Sequence, residues 1–595
     1  MSGEEEDDLP RHGFLFVNPR FRRFLLVAGT AFLLSACSSS QDRPGGALNP
    51  AGTEADTAYF AENISPSGTY LAGLIAGQNR DYSIAADLML EALETSPDDP
   101  RLLARAFLLS ASAGNNDDAL ALASRILVVS PDQSLAHLVL LVDAVKNEDW
   151  DLAGERIEAS PDTGVNTILK PMFLAWTDLA KGNLDKAVTT LEPLSEKEGF
   201  QTLYGIQLAL LNDLGGRPKE ARAAYMNILE ISNPPSLRQL NIIADFLSRQ
   251  GDDIGAKDLL WTYLQSDPDS TIASKALKRI EEGNGVERVI GSPGDAFAEI
   301  LFGFASLHAQ EKAYDAGLVY AMQALRLRPE YEEAKILVGE IMQTQERSRD
   351  AIALYRTIPE SSPYAWTVGL RIADELVSLD RKEEALDELR SMSKLRPERF
   401  EPHLRRGNIL RASEKFKEAS SAYDQAIERI DSADSRFWSV YYFRGITHER
   451  TDQWAKAEVD FLKALELSPD QPHVLNYLAY SWVELRKNLV QAEDMLIKAV
   501  ELRPEDGYIV DSLGWVYYQL GKYDNAVNYL EQAIELKAED PVINDHLGDA
   551  YWQVGRYHEA RFQWKRALSF KPEDKQIEVI RAKIEQGLIS VANGN

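Results

Sequence analysis

The sequence predicts an all-α protein, an α-solenoid of stacked helical hairpins, on three observations. A small residue recurs on a fixed beat: Ala85, Ala119, Ala153, Ala187 and Ala221 at steps of 34, Ala256 after 35, then Gly317, Ala351, Ala385, Ala419, Ala457, Ala492, Ala526 and Ala560. Prolines follow 12 residues behind, at Pro97, Pro131, Pro268, Pro329, Pro363, Pro397, Pro469, Pro504 and Pro572. Residues 511–527, DSLGWVYYQLGKYDNAV, are echoed 34 residues later by DHLGDAYWQVGRYHEAR, with eight of 17 positions identical. The shared residues are mostly small or aromatic, while the charges drift. A period of this length marks an array in which each unit is one supersecondary element. Small residues where two antiparallel helices cross let the backbones approach, and aromatics fill the space left. Gly521 or Gly555 closes a first helix and the proline punctuates the second. No hairpin covers its own apolar face, so the units must stack.

Taken in chain order, Arg20, Arg22 and Arg23 precede the 13-residue apolar run FLLVAGTAFLLSA, residues 24–36, and then comes Cys37, the one cysteine of the chain. A basic flank, a run too short to span a bilayer and a small-residue junction predict a signal peptide over 1–36. Leu34-Ser35-Ala36-Cys37 resembles the lipobox of bacterial lipoproteins, which implies acylation at Cys37; several acyl chains anchor stably where one does not. The opening MSGEEEDDLP is acidic where a signal starts basic, so the expected start lies downstream, with Val17 as candidate initiator. Ser38 rather than aspartate follows the cysteine; by the same resemblance this implies the outer membrane, facing the periplasm. Residues 37–65 form the lipidated end and a flexible tether, whose last 28 residues reach roughly 30 Å.

The repeats then divide into about six units over 66–270 and about eight over 298–574, in two superhelical halves. The Gly- and Ser-bearing stretch 271–297 between them is expected as an irregular connector or hinge, and 575–595 as a capping helix and tail. The unit 507–540 resembles the tetratricopeptide repeat: Leu513-Gly514 and Tyr517 in its first helix, Ala526, Leu530 and Ala533 in its second, with Ala538 in place of the usual proline. The next unit matches with Leu547-Gly548, Tyr551, Ala560, Trp564, Ala567 and Pro572; 471–505 carries Leu478-Ala479 and Trp482, with an extra residue near Lys487-Asn488.

The resemblance implies a concave face lined by first helices. Its register places there Tyr442 and Phe443, then Asn476, Tyr477 and Tyr480, then Asp511, Trp515 and Tyr518, and finally Asp545, His546, Asp549 and Trp552. Leu513, Tyr517, Leu547 and Tyr551 already fill the core side of the same helices. The second aromatic stripe is therefore expected to be exposed and to bind a partner segment carrying Lys or Arg, unless the cap helix folds back over it. In the N-terminal half the same face carries Leu138, Val142, Met172, Phe173, Trp176 and Leu179, either a second binding patch or a surface covered by a neighbouring element. Arg371, Arg405 and Asn408 are loosely placed for a clamp on a terminal carboxylate, but the set does not recur in consecutive units.

Formal net charge is −29, against the basic footprint of a nucleic-acid binder. One cysteine excludes internal disulfides and cysteine metal clusters. The eight histidines form no HExxH, no phosphate-loop motif occurs, and the SxxK match Ser391–Lys394 falls within a second helix. No catalytic residue, metal site or cofactor is predicted. With its lipobox and its last 130 or so residues, the chain resembles proteobacterial outer-membrane tetratricopeptide adaptor lipoproteins. This implies a non-enzymatic scaffold for envelope proteins, among them a carboxyl-terminal processing protease or peptidoglycan enzymes. The alternative is a cytoplasmic regulator or assembly factor in which the apolar run is incidental.

Overall fold

The computed structural model describes residues 65–588 apart from 198–199, 233 and 284–287. Cys37, the signal segment and the tether up to 64 lie outside the described residues. Among those described there are thirty α-helices and no strand, in two compact units, Met1–Arg381 and Lys382–Asn595. The chain is a solenoid of helical hairpins. The unit boundary falls inside the stretch expected as one array. The expected connector is irregular only in part: Thr271–Glu281 is helical and the next helix starts at Pro293.

In the C-terminal unit first and second helices alternate: Glu401–Ala412 with Phe416–Ile427, Trp438–Glu449 with Trp454–Leu467, Pro472–Glu484 with Leu489–Leu502, Gly507–Gln519 with Tyr523–Leu536, and Pro541–Gln553 with Tyr557–Ser569. The cap helix Asp574–Gln586 closes the series against Tyr557–Ser569. Four of these five crossings pair a glycine of the first helix with a large side chain 16 residues on, and the fifth has Ala479 at that place. A Cβ at Gly514 would stand 2.6 Å from Leu530 Cγ, one at Gly445 2.6 Å from Phe461 Cε1, and Gly407 and Gly548 meet Tyr423 and Trp564 in the same way. The alanine of the repeat beat sits opposite and is buried throughout, from Ala85 to Ala560, at 0–1% exposure. A methyl group is all that such a crossing admits.

The turn inside each hairpin needs one left-handed residue. Glycine supplies it at Gly521 (φ 75°) and Gly555 (φ 80°), whereas Glu414 (φ 57°) and Asp452 (φ 59°) adopt it at a steric cost. The 35-residue unit uses two, Arg486 and Asn488, which absorbs its extra residue.

In the N-terminal unit hairpins run from Pro66–Gln78 to Thr271–Glu281, and the chain then packs back into them. Helix Pro293–Gln310 lies against Asn166–Ala180, and Tyr314–Leu327 against Pro100–Ala113 and Ser134–Lys146. Phe297 stacks on Phe173 at 4.7 Å and 2°. Tyr82 donates to Asp315 at 2.7 Å, and Arg326 pairs with Asp143 at 2.5 Å. Half-buried Arg238 reaches Glu299 at 2.6 Å and Glu333 at 2.5 Å. Of the two readings of the N-terminal apolar face, coverage is the one observed: Leu138, Val142, Met172, Phe173 and Trp176 are buried in one cluster with Phe297, Ile300 and Leu301, and Leu179 is half-buried.

The two kinds of glycine make separable predictions. Gly548→Ala drives a methyl into the Trp564 indole and destabilises the C-terminal unit by about 1–3 kcal/mol. Gly555→Ala meets open space and costs about 1 kcal/mol through its φ alone. Denaturant melts of the two variants check this; equal effects would contradict the packing argument.

Candidate protein-binding groove

Spacing along each first helix sets the face. Asp511, Trp515 and Tyr518 follow at i, i+4 and i+7, as do Asn476, Tyr480 and Val483 on the preceding one, so the groups of each unit project from one side. Helix Gly507–Gln519 touches both Pro472–Glu484 and Pro541–Gln553, so these side chains adjoin along successive units. Leu513 and Tyr517 (1% and 6% exposed) and Leu547 and Tyr551 (0% and 6%) are buried in the core.

The stripe expected to be exposed is not. Tyr442, Asp511 and Asp549 are buried, and Phe443, Asn476, Tyr477, Tyr480, Trp515, Tyr518, Asp545 and Trp552 are half-buried. The rings cover one another. Trp515 stacks on His546 at 4.0 Å and on Tyr518 at 4.7 Å. Tyr442 meets Tyr477 edge-on at 6.0 Å and Phe443 at 5.4 Å, and Arg411 lies 4.4 Å over the Phe443 ring. Aromatics that stack across units are held in one orientation.

Carboxylates accept from several of the polar groups between the rings. Trp515 Nε1 donates to Glu484 at 2.7 Å, and the Tyr477 hydroxyl donates to Glu449 at 3.1 Å. His546 Nδ1 lies 3.0 and 3.1 Å from the two Asp511 oxygens. Asn476 Oδ1 and Asp545 Oδ1 are buried with no hydrogen-bond partner. Burial, with Glu484 and Asp511 nearby, pushes the Tyr480 hydroxyl far above its ordinary value, so it stays a neutral donor.

The cap helix folds back over the final unit, the alternative foreseen for this face. Lys583 Nζ sits between Asp545 and Asp549 at 2.8 Å from each, Arg561 Nε donates to the Ile584 carbonyl at 3.1 Å, and Gly587 lies against the Trp552 indole. Burial and the neighbouring Asp545 charge raise the Asp549 carboxyl to about 6, against the pull of Lys583. Burial opposes the charge on Lys583, but Asp549 and Asp545 outweigh it and hold its pKa above 10.5. The sequence did not point to Glu449, Glu484 or Lys583. Glu484 had a signal, one helical turn beyond Tyr480 on the same face; Lys583 had none, because its partners depend on how the cap docks.

The carboxylate clamp does not assemble. Arg371 is engaged by Glu340, and Asn408 Oδ1 accepts from the Tyr423 hydroxyl at 2.8 Å. Among the described residues no cluster of His, Cys, Asp or Glu is arranged to hold a metal, and no helix is long and apolar enough to cross a membrane.

His546 gives a direct electrostatic test. Burial disfavours its charge, but Asp511 overrides burial and raises the imidazole above 6.5. A raised folded value means stability that is fully present below about 6.5 and is lost as pH climbs through the higher value. In an NMR titration the His546 midpoint is expected above 6.5 and is expected to fall in Asp511→Asn; an unchanged midpoint would remove Asp511 as the cause.

Comparisons with known proteins bear on the same region. Tetratricopeptide-repeat family profiles match residues 404–472 and 543–574, and a TPR-repeat profile matches 514–555. Over 104 residues the chain is 36% identical to a UDP-N-acetylglucosamine–peptide N-acetylglucosaminyltransferase of Giardia intestinalis, covering 17% of this chain and 7% of that protein. Over 178 residues it is 26% identical to the protein O-mannosyl-transferase TMTC3 of Mus musculus, covering 30% and 17%. The chain thus spans a small part of those relatives' length. Among solved structures it resembles the APC/C hetero-tetramer Cut9–Hcn1 (15% identity, TM-score 0.36, 90% of this chain and 98% of that) and YrrB, a TPR protein with an unusual peptide-binding site (20%, 0.27, 32% and 97%). Likeness at that level says nothing of what this chain binds. Tetratricopeptide repeats are therefore recognised in the part of the chain that carries the groove, and arrays of such repeats are protein–protein interaction scaffolds.

Proposed function

We propose that the groove formed by Trp438–Glu449, Pro472–Glu484, Gly507–Gln519 and Pro541–Gln553 grips a Lys- or Arg-bearing segment of another protein, and that the chain is a non-enzymatic adaptor. The observation that carries this is the one-sided chemistry of the groove. Stacked rings alternate with Glu449, Glu484 and Asp511, the acceptors Asn476 Oδ1 and Asp545 Oδ1 lack a donor, and Asp545 and Asp549 already hold Lys583. A polypeptide bringing N–H groups and cationic side chains satisfies such a surface; an acidic one would meet repulsion. The seat of Lys583, an ammonium on a helix between Asp545 and Asp549, supports this reading.

In the finer reading, the adaptor is anchored through acylated Cys37 at the outer membrane. Its tether presents the array to envelope partners in the periplasm, a carboxyl-terminal processing protease or peptidoglycan enzymes among them. The lipobox and the resemblance of the last repeats support this.

Affinity capture from envelope extracts with mass-spectrometric readout tests both levels. Trp515→Ala with Tyr518→Ala is expected to lose the captured partner at least tenfold while keeping the helical circular-dichroism signal; undiminished capture would refute the groove. Cys37→Ser is expected to lose metabolic acyl label and leave the membrane fraction, and a variant that stays there would refute the anchor.

A further inference from the structure

A cavity of ≈ 390 Å³ in the N-terminal unit is lined by residues of Ser134–Lys146, Trp150–Ala159, Asn166–Ala180 and Tyr314–Leu327. This is within the range of about 300–1,000 Å³ typical of small-molecule sites. Most of its wall is apolar, from Leu135, Leu138, Leu141, Leu169, Phe173 and Val319. His137, Arg156 and Lys170 also line it.

Two of these three side chains present polar atoms with nothing to bond. His137 is 6% exposed; its Nε2 is 2.7 Å from the Pro131 carbonyl, which can only accept, so Nε2 is the donor and Nδ1 is left buried without a partner. Arg156 Nε is buried and unbonded, and no ion pair of Arg156 exists among the described residues. Lys170 is already engaged by Asp162 at 2.9 Å and by two carbonyls. The carboxylate in the lining, Asp315, accepts from the Tyr82 hydroxyl at 2.7 Å and the Gln345 amide at 3.0 Å. A buried guanidinium N–H and a buried imidazole nitrogen left unpaired beside an apolar wall are costly unless something fills the space.

We propose that this cavity binds a single-chain amphipathic anion, with its carboxylate or phosphate accepting from the Arg156 guanidinium and its alkyl chain along Leu138, Leu141 and Phe173. This proposal does not depend on the groove, which belongs to the other compact unit.

Calorimetric titration of the full chain tests it, with three twelve-carbon probes kept below their micelle thresholds: dodecanoate, dodecanoyl lysophosphatidate and dodecyltrimethylammonium. At least one anion is expected to bind one equivalent per chain, at least tenfold tighter than the cation, and the tighter anion distinguishes a free fatty acid from a lipid as the source. Arg156→Gln is expected to weaken it at least tenfold and Val319→Trp, which fills the space, to abolish it. Thermal melts show that each variant folds; should Val319→Trp fail, Arg156→Gln and the cationic probe still decide. No saturable binding of either anion, equal affinity for the cation, or anion binding unchanged in Arg156→Gln would overturn the site.

Discussion

One small side chain per unit, at the crossing of two antiparallel helices, is the constraint on which the rest of the molecule depends. From Ala85 to Ala560 this position is buried to the last percent, and in the C-terminal unit a glycine on the first helix accepts Tyr423, Phe461, Leu530 or Trp564 from the second. Close approach at that point brings the two helices of a hairpin into contact, and the small residue repeats from hairpin to hairpin. The core is therefore thin, local and repeated. Such a core leaves one side of each first helix without a partner of its own, and successive units line those sides up.

The two units resolve that leftover face differently. In the N-terminal unit it is apolar, and the chain itself returns to cover it through Phe297, Ile300 and Leu301. In the C-terminal unit it carries rings and carboxylates, and only its last unit is covered, by a helix whose Lys583 answers Asp545 and Asp549. Apolar area is satisfied by any well-packed surface, whereas a row of acceptors is satisfied only by donors, so chemistry decides which face is available to another protein.

Much of this was legible in the sequence. The alanine beat gave the hairpins, the Leu-Gly and Tyr spacing gave the first helices, and the gap between 34 and 35 residues located the turn that holds Arg486 and Asn488 in the left-handed region. What could not be read was set by contacts far apart in the chain. Leu138 and Phe173 look alike whether they bind a partner or face Phe297, because the periodicity of a helix records which residues share a side, not what lies opposite. For the same reason Trp515 and Tyr518 were expected to be exposed: nothing local foretold that His546 and Tyr518 would stack on the indole. The buried, unpaired Arg156 Nε is of the same kind, a property of several helices brought together rather than of any one.

The claim that first helices of the C-terminal unit form the gripping surface is tested most directly by hydrogen-exchange mass spectrometry of the chain with and without a captured partner. Slowed exchange is expected over Pro472–Glu484, Gly507–Gln519 and Pro541–Gln553, with Leu489–Leu502 and Tyr523–Leu536 unchanged. Protection confined to those second helices, or to the N-terminal unit, would contradict the account.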